Sequence, residues 1–315
     1  MKTLLSFSAI FLFLFTSAQT TFKEKEVKRS VFGGNLYGTM LTPKKGNGVA
    51  VLLISGSGPT DRDGNSAIGG KNNSIKMLSE AMAAKGYISL RFDKRGIGKS
   101  MPDCKEDNIR FEVYKNDVVD WVEWLKKDKK VTKIVIVGHS EGSLLGMIAA
   151  KKVNADGFVS IAGAGFSADV ILKQQLENQL PGKMYEECLP VLDSLKAGFR
   201  VKNPPSALKS LFRPSVQPYL ISWFKYDPAV EIAKLTCPVM ILQGLNDLQV
   251  TQKDAESLWG AAPGARTVLM PKVTHALKEA GETQEENLAT YTNENLPLAP
   301  MVVNNMLIFL APLNK

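Results

Sequence analysis

The sequence predicts an α/β fold: a mostly parallel, doubly wound sheet with an inserted helical cap. Three observations predict it. Short, continuous apolar runs alternate with segments whose apolar residues recur at helical spacing. One stretch, Gly165 to Leu235, interrupts that alternation and holds seven of the 16 prolines. A Gly-x-Ser-x-Gly pentapeptide stands at a junction between an apolar run and a helical segment.

The elements follow in order. Met1 to Gln19 has a basic start, an apolar run from Leu4 to Phe15 and small residues at the end. It reads as a secretory signal peptide over residues 1–18, cleaved after Ala18, and it is too short for a membrane span. No Cys follows the site, so a lipid anchor is not expected. Glu24 to Leu41 contains Gly33-Gly34 and reads as a hairpin at an antiparallel edge. Val49–Ile54 is apolar throughout, as in a strand buried on both faces. A loop rich in Gly, Ser and Asp runs from Ser55 to Gly70, and Ser74 to Lys85 reads as a helix. Strands follow at Tyr87–Arg91, Lys133–Val137 and Gly157–Ile161, with helices at Phe111–Lys127 and Ser140–Lys151 between them. Strands alternating with helices call for a parallel sheet covered on both sides.

Residues 19–164 and 236–315 are therefore expected to form the core, and 165–235 a helical cap over the sheet's C-terminal edge. Phe166, Met184, Tyr219, Trp223 and Phe224 either line the cap's inner wall or pack it on the core. The strand pattern resumes at Pro238–Gln243 and Arg266–Met270, and a last helix covers Ala299–Leu310.

Gly138-His139-Ser140-Glu141-Gly142 follows Ile-Val-Ile-Val and precedes a helix. In that context the serine sits on a tight turn with its hydroxyl exposed, and close chain passage requires the flanking glycines. Ser140 is the expected nucleophile. A serine hydroxyl needs a base, and the chain has only two histidines. His139 lies inside the turn and is read as a packing residue. His275, in the loop after the last strand, is the expected base. Asp247, after the penultimate strand, is the expected orienting carboxylate, with Asp254 and Glu256 as fallbacks in a helix. The order Ser, Asp, His is that of α/β-hydrolases.

The chain resembles the α/β-hydrolases, in the group joining serine-aminopeptidase-like (S33-type) hydrolases and capped carboxylesterases. Three motifs carry the resemblance beyond Ser140, Asp247 and His275: Ser55-Gly-Ser-Gly-Pro-Thr-Asp-Arg-Asp-Gly-Asn65, Arg91-Phe-Asp-Lys-Arg-Gly-Ile-Gly-Lys-Ser100, and the Gly-x-Asn-Asp and Thr-His pieces around Asp247 and His275. It implies an oxyanion hole from the backbone N–H groups of Ser57 and Glu141. The family's usual His-Gly at the start of that loop is Ser55-Gly56 here. It also implies that Asp93 and Arg95 tie loops together. Asp61, Arg62 and Asp63 either order the oxyanion loop or meet substrate. Gly98-Lys99-Ser100 is no phosphate loop, because position 93 is Asp where that motif needs Gly.

The implied chemistry is ester hydrolysis through an acyl-enzyme on Ser140, needing no metal or organic cofactor. The expected partner is a small-molecule ester. The alternatives are a serine aminopeptidase-like peptidase, a thioesterase, or a non-catalytic binding protein of the same fold. A peptidase would need an acidic cluster in the cap, where Glu186 and Glu187 are available. A secreted or periplasmic location follows from the signal peptide and suggests nutrient esters.

Composition narrows the rest. The formal charge is +8, mild for 315 residues, and no basic stripe interleaves with aromatics, so nucleic acid is not an expected partner. After the signal, no segment is apolar for long enough to insert in a membrane. Cys104, Cys188 and Cys237 are an odd, widely spaced set that forms no disulfide framework.

Overall fold

A computed structural model describes residues 21–100 and 105–314. The expected signal peptide and Cys104 lie outside the described residues. Among the described residues, eight strands form one sheet: β1 (Phe22–Val31), β2 (Gly34–Pro43), β3 (Val49–Ile54), β4 (Ile88–Phe92), β5 (Lys133–His139), β6 (Gly157–Ile161), β7 (Val239–Gly244) and β8 (Arg266–Met270). Their order is β1-β2-β4-β3-β5-β6-β7-β8. β2 runs antiparallel to both β1 and β4, and every other pairing is parallel. The hairpin therefore closes the antiparallel edge, as its alternation predicts.

Helices cover both faces. They are α1 (Ser74–Ala84), α2 (Phe111–Leu125), α3 (Glu141–Val153), α9 (Gln252–Ala261), α10 (Gln284–Thr292) and α11 (Pro300–Leu310). Alternate residues of one strand point to opposite faces. Leu52 and Ile54 thus pack with Trp121 of α2 and Leu145 of α3, while Val51 and Leu53 pack with Leu78 of α1 and Val302 of α11. All six residues of β3 are buried, which explains their uninterrupted apolar run.

Between β6 and β7 the chain makes only helices among the described residues: α4 (Ala168–Gln179), α5 (Gly182–Lys196), α6 (Lys209–Phe212), α7 (Gln217–Trp223) and α8 (Pro228–Ile232). This segment has its own apolar centre, built from Leu176, Cys188, Leu192, Leu195, Phe212 and Phe224. Trp223 of α7 stacks on Phe111 of α2, ring centroids 6.1 Å apart and planes nearly parallel. Ile232 of α8 joins the apolar cluster that includes α3 and α9. Glu106 reaches Arg213 and Ser215, a third tie between the segment and the core. Cys188 and Cys237 are free thiols.

Helix α10 is absent from the sequence-based reading, although its start carries a capping box, Thr283 with Glu286. It matters for the site. Its Asn287 Nδ2 donates to the Asn246 carbonyl at 2.5 Å, and its Thr290 hydroxyl lies 3.0 Å from that of Thr274. One helix thus braces the loops carrying both Asp247 and His275.

Candidate active site

Ser140 lies between β5 and α3 with φ 55° and ψ −124°, a left-handed backbone that few non-glycine residues adopt. The turn is tight on both sides. A Cβ on Gly138 would stand 2.2 Å from the Gly142 carbonyl oxygen, and one on Gly142 would stand 2.4 Å from that of Ile54. Only glycine fits either position, and the strain at Ser140 is maintained by this packing. Ser140 also opens α3, so the Glu141 N–H belongs to the first turn, which has no intrahelical acceptor.

His275 follows β8 and Asp247 follows β7. His275 Nδ1 lies 2.8 Å from Asp247 Oδ2, and both side chains are buried. The carboxylate can only accept, so Nδ1 carries the proton and Nε2 is left as a base. Asp247 Oδ1 accepts from the Gln249 and Val250 N–H groups at 2.8 and 3.0 Å. Three hydrogen bonds thus fix one carboxylate and one imidazole. The fallback acids stand elsewhere: Asp254 caps α9 through Thr251 and accepts from the Gly165 N–H, and Glu256 accepts from Gln252 at the surface.

His139 is not idle. Its Nε2 is 2.9 Å from the His275 carbonyl oxygen, and the two rings lie 4.7 Å apart. Burial, with His275 beside it, depresses its pKa to about 3. The ring is therefore neutral at working pH.

The loop after β3 passes directly over the nucleophile: a Cβ on Gly56 would lie 3.1 Å from that of Ser140. Asp61, Arg62 and Asp63 are all spent on ordering this loop. Asp61 Oδ1 accepts from the Asp63 and Asn65 N–H groups, Asp63 pairs with Arg91, and Arg62 grips Asp93. The Arg62 N–H also donates to Asp93, at 2.7 Å, and Arg95 forms a two-bond pair with Asp117. The 91–100 segment is thus a tie beneath the site. Lys94, also in it, donates to the Gly56 carbonyl at 2.5 Å and to Glu141 Oε1 at 3.0 Å. The sequence reading assigned Lys94 no role.

Ser140 borders two cavities. The larger, about 590 Å³, is walled by Leu144, Phe166, Leu172, Leu220 and Trp223, with Ser57 and Glu141 at its inner end. The smaller, about 260 Å³, is lined by Ser66, Asn72, Gln249 and Tyr291, and by both histidines. Of the five aromatic and Met candidates, Phe166, Tyr219 and Trp223 reach the larger cavity. Phe224 is instead buried in the helical segment's own centre, and Met184 is half-buried on α5.

Comparison with known proteins gives a consistent picture. The serine aminopeptidase S33 family matches residues 69–230. Esterase EstD of Thermotoga maritima is 32% identical over 244 residues, covering 76% of this chain. This chain spans 55% of that relative's length. Two solved structures share the fold. Est1E of Butyrivibrio proteoclasticus, with ferulic acid bound, has a TM-score of 0.60 at 20% identity, over 90% of this chain and 99% of that one. The Pyrococcus furiosus esterase Pf2001 has 0.59 at 15% identity, over 93% and 91%.

Proposed function

Because the chain belongs to the serine aminopeptidase S33 family of α/β-hydrolases, we propose that it cleaves carboxylic esters through an acyl-enzyme on Ser140. The observation that carries the reading is the His275–Asp247 hydrogen bond of 2.8 Å beside a serine held in a strained turn. The likeness to an esterase of T. maritima supports the choice of ester.

In this reading His275 Nε2 takes the Ser140 proton as Oγ attacks the ester carbonyl. Negative charge on the carbonyl oxygen is met by the N–H groups of Ser57 and Glu141, each worth on the order of 3 kcal/mol. The tetrahedral adduct collapses, and His275 returns the proton to the departing alkoxide. Water, deprotonated by the same Nε2, attacks the acyl-enzyme; the acid leaves and Ser140 recovers its proton.

The proton transfer also orients the substrate. The alkoxide must stand within hydrogen-bond reach of His275 Nε2. His275 borders the smaller cavity and is not part of the larger cavity's lining. The alcohol therefore takes the smaller cavity, and the acyl group the larger one.

The peptidase alternative needs a carboxylate to hold a substrate ammonium. Glu106 and Glu141, the two that line the larger cavity, are engaged by Arg213 and Lys94. Glu186 and Glu187 are exposed on α5, away from it. An exported location is part of the proposal and rests on the pattern of residues 1–18 alone.

The test is turnover of p-nitrophenyl esters beside amino-acid p-nitroanilides, with Ser140→Ala as control. Ester cleavage abolished in Ser140→Ala supports the proposal. Anilide cleavage without ester cleavage would give the peptidase, and inertness of a folded protein toward both would give a binding role.

A further inference from the structure

We propose that Lys94 is a positioning residue for the oxyanion hole, clamping the two chain segments that supply its donors. The inference rests on the ester-hydrolase reading above.

Three observations converge on it. The Lys94 ammonium donates to the Gly56 carbonyl at 2.5 Å. That carbonyl and the Ser57 N–H belong to one peptide plane, which is trans and points them in opposite directions. Fixing the oxygen therefore fixes the direction of the Ser57 N–H. The same ammonium donates to Glu141 Oε1 at 3.0 Å, and Glu141 is the residue whose backbone N–H is the second donor. One cation thus ties the loop after β3 to the first turn of α3, on either side of the carbonyl oxygen's place.

Burial makes the arrangement unusual. The Lys94 and Glu141 side chains are 3% and 2% exposed. Removing two charges from water costs so much that a buried ion pair rarely stabilises a fold more than apolar residues of the same shape. Stability alone is thus a poor reason for placing a lysine here. Preorganisation is a better one, because donors help the transition state only if they are aimed before the charge develops. Loop 55–60 follows a strand end and has few other anchors: Thr60 turns back on the Ser57 carbonyl at 2.8 Å, within the same loop. Tyr114 lies under the ammonium, 5.5 Å from ring centroid to Nζ, and closes its outer side. Since Glu141 already balances the cation, Lys94 acts through geometry and adds no net charge to the site.

The experiment compares wild type with Lys94→Met and the shape-matched double variant Lys94→Met/Glu141→Leu. It reads kcat, KM, thermal midpoint, and the Ki of an alkylboronic acid that forms a tetrahedral adduct on Ser140. Misplaced donors should lower kcat about 30- to 100-fold, with KM within about 3-fold. Ki should rise by the same factor as kcat falls. The double variant should regain the thermal midpoint without regaining kcat or boronate affinity. A folded Lys94→Met with wild-type kcat and Ki overturns the proposal. So does a double variant that regains activity along with stability. If wild type shows no Ser140-dependent ester turnover, the ester reading fails instead, and boronate affinity on Ser140 still decides the clamp.

Discussion

His139 Nε2 lies 2.9 Å from the backbone carbonyl oxygen of His275, so the residue before the nucleophile holds the main chain of the base. The contact spans 136 residues and joins the elbow to the loop after β8. The carbonyl accepts, so Nε2 carries the ring proton, and burial keeps the ring neutral by lowering its pKa from 6.5 to about 3. A basic group whose folded pKa is depressed stabilises the fold above its unfolded pKa, and that contribution is lost as pH falls. Between pH 6.5 and about 4, wild type should therefore lose on the order of 2 kcal/mol that His139→Asn keeps. Denaturant melts of both proteins at pH 7.5 and 4.5 check this, and equal losses would sink it. His139 should also leave no limb in the pH–rate profile above pH 5.

Asp247→Asn should separate orientation from folding. The Gln249 and Val250 N–H groups would keep an oxygen to donate to, so the turn after β7 survives. The new amide would face His275 Nδ1 with a donor and favour the tautomer whose Nε2 is already protonated. The base is then blocked. Loss of kcat should be on the order of 10³- to 10⁴-fold, with the thermal midpoint shifted by only a few degrees. A loss below about 10-fold would remove Asp247 from the proposed mechanism.

The export proposal makes its own prediction. Expressed in a bacterium with its leader, the protein should be recovered outside the cytoplasm with Gln19 as its first residue, read by N-terminal sequencing. Recovery of an intact Met1 from the cytoplasm would refute it.

Much of this was legible in the amino-acid order. Buried parallel strands such as β3 and β5 have no solvent face and so show as unbroken apolar runs. The elbow showed because its glycines are imposed by local backbone contact. Lys94 did not show, since a lysine between Asp93 and Arg95 reads as a solvated charge. Its burial comes from loop 55–60 and α3 meeting it, segments close to it only in the fold. Trp223 and Phe224 are neighbours at the end of a seven-residue helix, one on the cavity and one in the helical segment's own centre. Too few turns surround them to set the phase of a periodic pattern. Helix α10 had a visible start signal but a largely polar sequence, because it lies on loops and presents no apolar stripe to the sheet.

The two cavities predict which half of an ester has room to grow. An apolar acyl chain entering between Leu172 and Trp223 buries its methylenes, each worth about 0.8 kcal/mol, or about 4-fold in kcat/KM until the cavity is full. The same chain on the alcohol side would have less than half the volume to enter. Methyl octanoate and heptyl acetate are isomers that differ only in which side carries the chain. The first should be hydrolysed at least about 10-fold faster by kcat/KM. Leu172→Trp, which takes up part of the larger cavity, should move the acyl optimum to shorter chains. Faster cleavage of heptyl acetate would reverse the assignment of the cavities and leave ester hydrolysis itself standing.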